Sequence, residues 1–139
     1  MGTASNIVLN ASLSNALDFG TDPFVLTFQA SDFSSNSAFV ALVNGSAFLK
    51  GVGAYDLALS LRFVPDPFPP VEPYFSAAYV LGDAEPVVME AGSVSLTTFP
   101  TVVSARIPVA APDGGLLRIQ IATQFAGSLS SGSGLTLVF

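Results

Sequence analysis

Cysteine, histidine and tryptophan are absent from the sequence. Without thiols, no disulfide staples the chain and no thiolate serves as nucleophile. Without imidazole, nucleophilic catalysis of the Ser-His-Asp or Cys-His type has no base. Structural zinc takes Cys or His ligands in nearly every case, so it is excluded on the same ground. A Ser-Lys pair would need Lys50 beside a serine, and Ser46 does not stand at the Ser-x-x-Lys spacing of such enzymes.

Charge is also scarce. Only 10% of the residues are charged, against about 25% in an ordinary soluble domain. Lys50, Arg62, Arg106 and Arg118 are the only cations, and ten acids bring the net charge to −6. Cations scattered in this way make no stripe for a phosphate backbone, so direct nucleic-acid binding is not expected. They offer no purchase on an anionic membrane surface either. No run approaches the ~20 apolar residues of a membrane helix. Residues 1–6 carry neither a basic region nor a long apolar segment and do not read as a signal peptide. Glycine loops of the GxxxxGK[ST] or GxGxxG-helix kind are missing, and with them support for nucleotide binding.

What the sequence does hold is apolar surface, dispersed. Half of the 139 residues are hydrophobic, separated by Ser, Thr, Gly, Asn and Pro. The length suits one domain, read as spanning 1–139. Such a domain buries roughly 68% of its unfolded surface and needs no staple. A surface with so little charge is either built of small residues or covered by other subunits.

Alternation with period two dominates. Tyr55, Leu57, Leu59, Leu61 and Phe63 fall on one face of a strand, with Asp56, Ala58, Ser60 and Arg62 on the other. Ile7, Leu9, Ala11 and Leu13 alternate likewise, as do Phe24, Leu26, Phe28 and Ala30. Val103, Ala105, Ile107 and Val109 precede Leu117, Ile119, Ile121 and Thr123. The turn residues Pro112, Gly114 and Gly115 lie between these two and predict a hairpin. Leu135, Leu137 and Phe139 share one face of a last strand. Weaker strands are expected over 39–43, 75–81, 87–89 and 94–97. The expectation is an all-β fold, an antiparallel β-sandwich of jelly-roll kind with about eight to ten short strands. Helix is confined to at most one turn, over 12–17 or 46–50. The Ser-rich 31–37 and the Ser/Gly-rich 127–134 read as loops.

Two strands look apolar on both sides. Phe75, Ala77, Tyr79 and Leu81 alternate with Ser76, Ala78 and Val80; Phe39, Ala41 and Val43 alternate with Val40 and Leu42. A two-layer sandwich covers only one side, so the other needs a loop or a neighbouring subunit. The proline-rich 65–73 is neither central strand nor helix, since Pro lacks the N–H and fixes φ. It reads as a stiff extended crossing or as an arm on a neighbour. Phe68, Pro69, Pro70, Val71, Phe75 and Tyr79 are the candidate interface residues.

Paired carboxylates for sugar chemistry are limited to Asp83 with Glu85, Asp66 with Glu72, and Asp18 with Asp22. All stand at expected turns, where acids serve solvation. Calcium is the one metal whose oxygen chemistry the chain allows, at 82–85 or 18–22, and no spacing matches an EF-hand. No cofactor is expected.

These readings converge on a non-enzymatic structural assembly subunit. Its partners would be copies of itself, first of all as a trimer, or a larger protein shell. A virion component fits: a capsid decoration, cement, spike or minor capsid protein, located in the virion. The first alternative is a carbohydrate- or ligand-binding β-sandwich module, for which Tyr55, Tyr74 and Tyr79 are the only hydroxylated aromatics. A small outer-membrane β-barrel and a strand-donating pilus or adhesin subunit follow.

Overall fold

The computed structural model describes residues 7–50, 53–65, 74–94 and 101–139. These residues form thirteen strands: β1 Ile7–Ser12, β2 Leu17–Phe19, β3 Phe24–Leu26, β4 Phe33–Ser35, β5 Val40–Val43, β6 Ser46–Leu49, β7 Gly53–Pro65, β8 Tyr74–Leu81, β9 Val87–Ser93, β10 Thr101–Ala111, β11 Gly115–Thr123, β12 Gly127–Leu129 and β13 Gly134–Val138. The one helical element among them is a 3-10 turn, Ala30–Asp32. No helical turn forms over 12–17, where a bend links the end of β1 to the start of β2, and the stretch 46–50 is taken by β6, whose pairing satisfies the backbone instead.

The strands make two antiparallel sheets. Sheet A is built on β7, whose thirteen residues pair with β10 along one edge and with β13 and β12 in turn along the other. β13 continues to β1 and β4, and β12 to β2. Sheet B is built on β11, flanked by β8 and then β9 on one side, and by β6 with β5, and β3, on the other. Among the described residues no strand pairing joins the two sheets. The arrangement is therefore an open sandwich rather than the closed barrel weighed from the sequence.

The long alternating runs do what their period requires. Leu57, Leu59, Leu61 and Phe63 from β7 meet Leu117, Ile119 and Ile121 from β11 in the core. The outward partners on β7, Asp56 and Arg62, are exposed. One end of the core is aromatic: Phe63 lies 5.0 Å from Phe75 and 6.0 Å from Phe125, and Phe19 packs edge-on to both Phe63 and Phe125. The other end gathers Tyr55, Phe39 and the terminal Phe139. The hairpin expected over 110–115 is instead a crossing between the sheets: β10 pairs with β7 in sheet A, β11 pairs with β3, β6 and β8 in sheet B, and the turn between them closes with the Gly114 N–H donating to the Ala111 carbonyl.

Three further expectations are corrected. Ile7 does not share the core face with Leu9 and Ala11. A bulge between Ile7 and Leu9 turns Ile7 outward, 63% exposed, and Val8 inward. The stretch 127–134 is not a free loop: Gly127 is buried in β12, and Gly134 is buried in β13. The Ser-rich 31–37 likewise contains β4, which pairs with β1.

Candidate assembly surface

The outer face of sheet A is set by register. Across it runs a row Arg106, Ala58, Thr136, Asn10 and Ser34, one residue from each of five strands. Beside it runs Ser104, Ser60, Gly134 and Ser12. Every side chain in the second row is small or missing. The result is a shallow trough of about 430 Å³, floored by Ala58, Ser60 and Gly134 and walled by Arg106, Ser104, Asn10 and Thr136. Gly132 borders it where the Arg62 side chain passes. The Arg62 backbone is pinned there, its N–H donating to Ser133 Oγ at 2.9 Å and its carbonyl accepting from Ser130 N–H at 2.8 Å.

The charges on β7 and β10 are Arg62, Arg106 and Asp56. Arg106 Nη2 and Asp56 Oδ2 stand 3.7 Å apart, with side chains 70% and 51% exposed. An open pair of this kind contributes little to stability and leaves both groups free to change partners.

A second surface lies at one edge of the sandwich. β9 is the outer strand of sheet B and β10 the outer strand of sheet A, and the two adjoin. Val87 stands opposite Tyr79 and Glu90 opposite Ala77, on the side that faces the core, yet both are exposed. β9 therefore overhangs the facing sheet. Val88, on the other side, is 60% exposed, and Val102 on β10 is 54% exposed. From Gly82 to Ser93 the charges are Asp83, Glu85 and Glu90, with no cation. The edge is thus an apolar ridge with acidic flanks.

Of the candidate interface residues, Phe68, Pro69, Pro70 and Val71 lie outside the described residues. Phe75 points into the core against Phe63. Tyr79 is half-buried and packs on the same core from β8. The doubly apolar character of β8 has a local cover. Ala78 and Val80 are buried on the outer side, opposite Gln120 and Arg118 in the register. Arg118 Nη2 donates to the Gly82 carbonyl at 3.1 Å, which holds the guanidinium over this face.

The trough and ridge escaped the candidate list. Their signals were present: the unusually small outward set Ala58 and Ser60, and the consecutive Val87, Val88 and Met89. Among the described residues no three acidic side chains gather as a metal site. No helix of these residues is long and apolar enough to cross a membrane.

No protein-family profile matches the chain, and no curated protein matches it. Among solved structures it is similar to the Eiger TNF of S. frugiperda, with a TM-score of 0.54 and 12% identity. The alignment covers 96% of this chain and 91% of that one. At that identity the likeness establishes architecture alone: the chain is an all-β jelly-roll sandwich of TNF-like form.

Proposed function

We propose that this chain is a non-enzymatic structural subunit that works by associating with copies of itself, as a component of a larger shell such as a virion surface. The observation that carries this reading is the β9–β10 edge, where Val87 and Val88 on β9 and Val102 on β10 are each exposed in a chain with few charged residues. Exposed valines on the edge strands supply apolar area that a second copy can bury. The small residues Ser104, Ser60, Gly134 and Ser12 across the outer face of sheet A support it, because desolvating such residues costs far less than desolvating ion pairs.

Sedimentation of the full chain at micromolar concentration tests the proposal. The expected result is a discrete oligomer, a trimer first of all. A monomer at every accessible concentration would refute it.

A carbohydrate- or ligand-binding module is the second reading. It is favoured by a hollow of about 280 Å³ where Asn15, Gln29, Asp32 and Asn44 surround Leu13, Leu17 and Phe28. A glycan array without hits counts against it.

A further inference from the structure

We infer that the partner of the trough on sheet A is the β9 ridge of a second copy of this chain. The inference rests on the assembly reading above and names the contact. Three features point to this occupant.

The first is shape. The trough is concave because Gly134, Ala58 and Ser60 bring little side chain to its floor. The ridge is convex because β9 overhangs the sheet that faces its partner β8, leaving Val87 and Val88 in water. The two surfaces belong to different sheets, so one molecule presents both at once.

The second is charge. Two of the four cations, Arg62 and Arg106, flank the trough, and Asp56 only partly offsets them. Glu85 and Glu90 bracket the ridge valines, with Asp83 close by in sequence. Seating the ridge on the trough brings acids to arginines. Seating ridge on ridge would crowd acids together.

The third is that the alternative at this edge, strand addition to β9 or β10, is guarded against on both strands. Pro108 has no N–H to offer and Arg106 places a charge on the same strand, β10. β9 carries a bulge where Val88 and Glu90 pair with the consecutive Ala78 and Ala77, leaving Met89 extra. Interrupted edges of this kind bury side chains against a face more readily than they extend a sheet. The contact is heterologous, so repeating it either closes a ring or grows a filament.

Two full-length variants test the contact. Val88→Asp spoils the ridge and leaves the trough intact. Ala58→Trp fills the trough and leaves the ridge intact. Both positions face outward, and circular dichroism with thermal melting checks that each variant folds. Native mass spectrometry of the wild type should show the oligomer, and each variant alone should be monomeric. Mixed in equal amounts, the two should form a one-to-one heterodimer, because each retains the half that the other lacks. A separate pair, Arg106→Glu and Glu90→Arg, should each weaken association at least tenfold and restore it when combined in one chain.

If the wild type assembles while both ridge and trough variants still assemble alone, the contact is wrong and the assembly reading stands. If the single variants dissociate and their mixture gives no heterodimer, ridge and trough are not partners. If the wild type is monomeric throughout, both proposals fall. Should one variant fail to fold, the charge exchange decides alone: no recovery in the combined chain overturns the contact.

Discussion

Gly134 faces Ser12 across the β13–β1 ladder so closely that a Cβ on Gly134 would lie 2.8 Å from the Ser12 Cα and collide with the Ala11 carbonyl oxygen. Gly127 has the same relation to β7, where a Cβ would stand 2.9 Å from the Pro65 Cα and collide with the Val64 carbonyl. Backbone on both sides cannot move aside as a flexible side chain would. Gly134→Ala and Gly127→Ala should each destabilise the fold by about 3 kcal/mol, the upper part of the usual range for overpacking. Gly20→Ala is the control, since nothing lies within 4 Å of its Cβ position. It should be neutral or stabilise by about 0.5 kcal/mol through the unfolded chain. Urea unfolding midpoints decide, and equal midpoints for Gly134→Ala and Gly20→Ala would contradict the close approach.

The two aromatic ends of the core should differ in weight. Phe63 is fully buried, with Phe19, Phe75 and Phe125 around it. Phe139 packs tilted against Phe39 and edge-on to Tyr55 but keeps 47% of its surface in water. Phe63→Ala should cost about 4 kcal/mol, as cavity-forming substitutions of this size do. Phe139→Ala should cost about 1 kcal/mol, since roughly half of its burial is already forgone. Chemical denaturation of both variants measures the ratio. A larger loss at Phe139 would reverse this account of where the core lies.

Tyr55 makes the stability depend on alkaline pH. Burial pushes its hydroxyl above the ordinary value of 10.0, because the phenolate would lose its hydration. The folded state then holds the proton more tightly than the unfolded state does. Its contribution is complete below pH 10 and is lost as the pH rises through the folded-state value. Stability should therefore fall between pH 10 and the alkaline limit of the measurement, and Tyr55→Phe should flatten that fall. Denaturation profiles of the two proteins that remain parallel above pH 10 would assign the alkaline loss to other groups.

The sequence made the long strands legible and the short ones not. β7, β10 and β11 each bury one alternating set against the opposite sheet, so period two survives over many residues. β2, β4 and β12 have three residues each, too few for any period to register, while β3 is the short end of the alternating run read from Phe24. β12 was hidden further by composition. Gly and Ser over 127–134 read as flexible, while Gly127 and Gly134 are there because neighbouring backbone leaves no room for a Cβ. Ile7 shows the limit of alternation itself, since a single bulge reversed its face. The candidate surface was visible as low charge and as small outward residues on β7, without a motif to mark it. The meaning of those residues depends on which strands the fold sets beside them.

The β10 edge offers a final test, because it separates folding from association. β10 pairs with β7 along its whole length, and among the described residues no strand pairs with its other edge. An eleven-residue strand with a free edge is a template for uncontrolled pairing. Val102, Val103, Ile107 and Val109 give it high β-propensity, and Arg106 and Pro108 interrupt it. Both guards point outward and are exposed, so replacing them leaves the core untouched. Arg106→Val with Pro108→Val should keep the melting temperature within a few degrees, since the open pair with Asp56 is worth at most about 1 kcal/mol. It should also supply a backbone donor that Pro108 withholds, and so promote edge-to-edge pairing. The expected outcome is time-dependent aggregation that binds thioflavin T, with the lag shortening as protein concentration rises. A double variant that stays clear and binds no thioflavin T would show that the edge is protected by something other than these two residues.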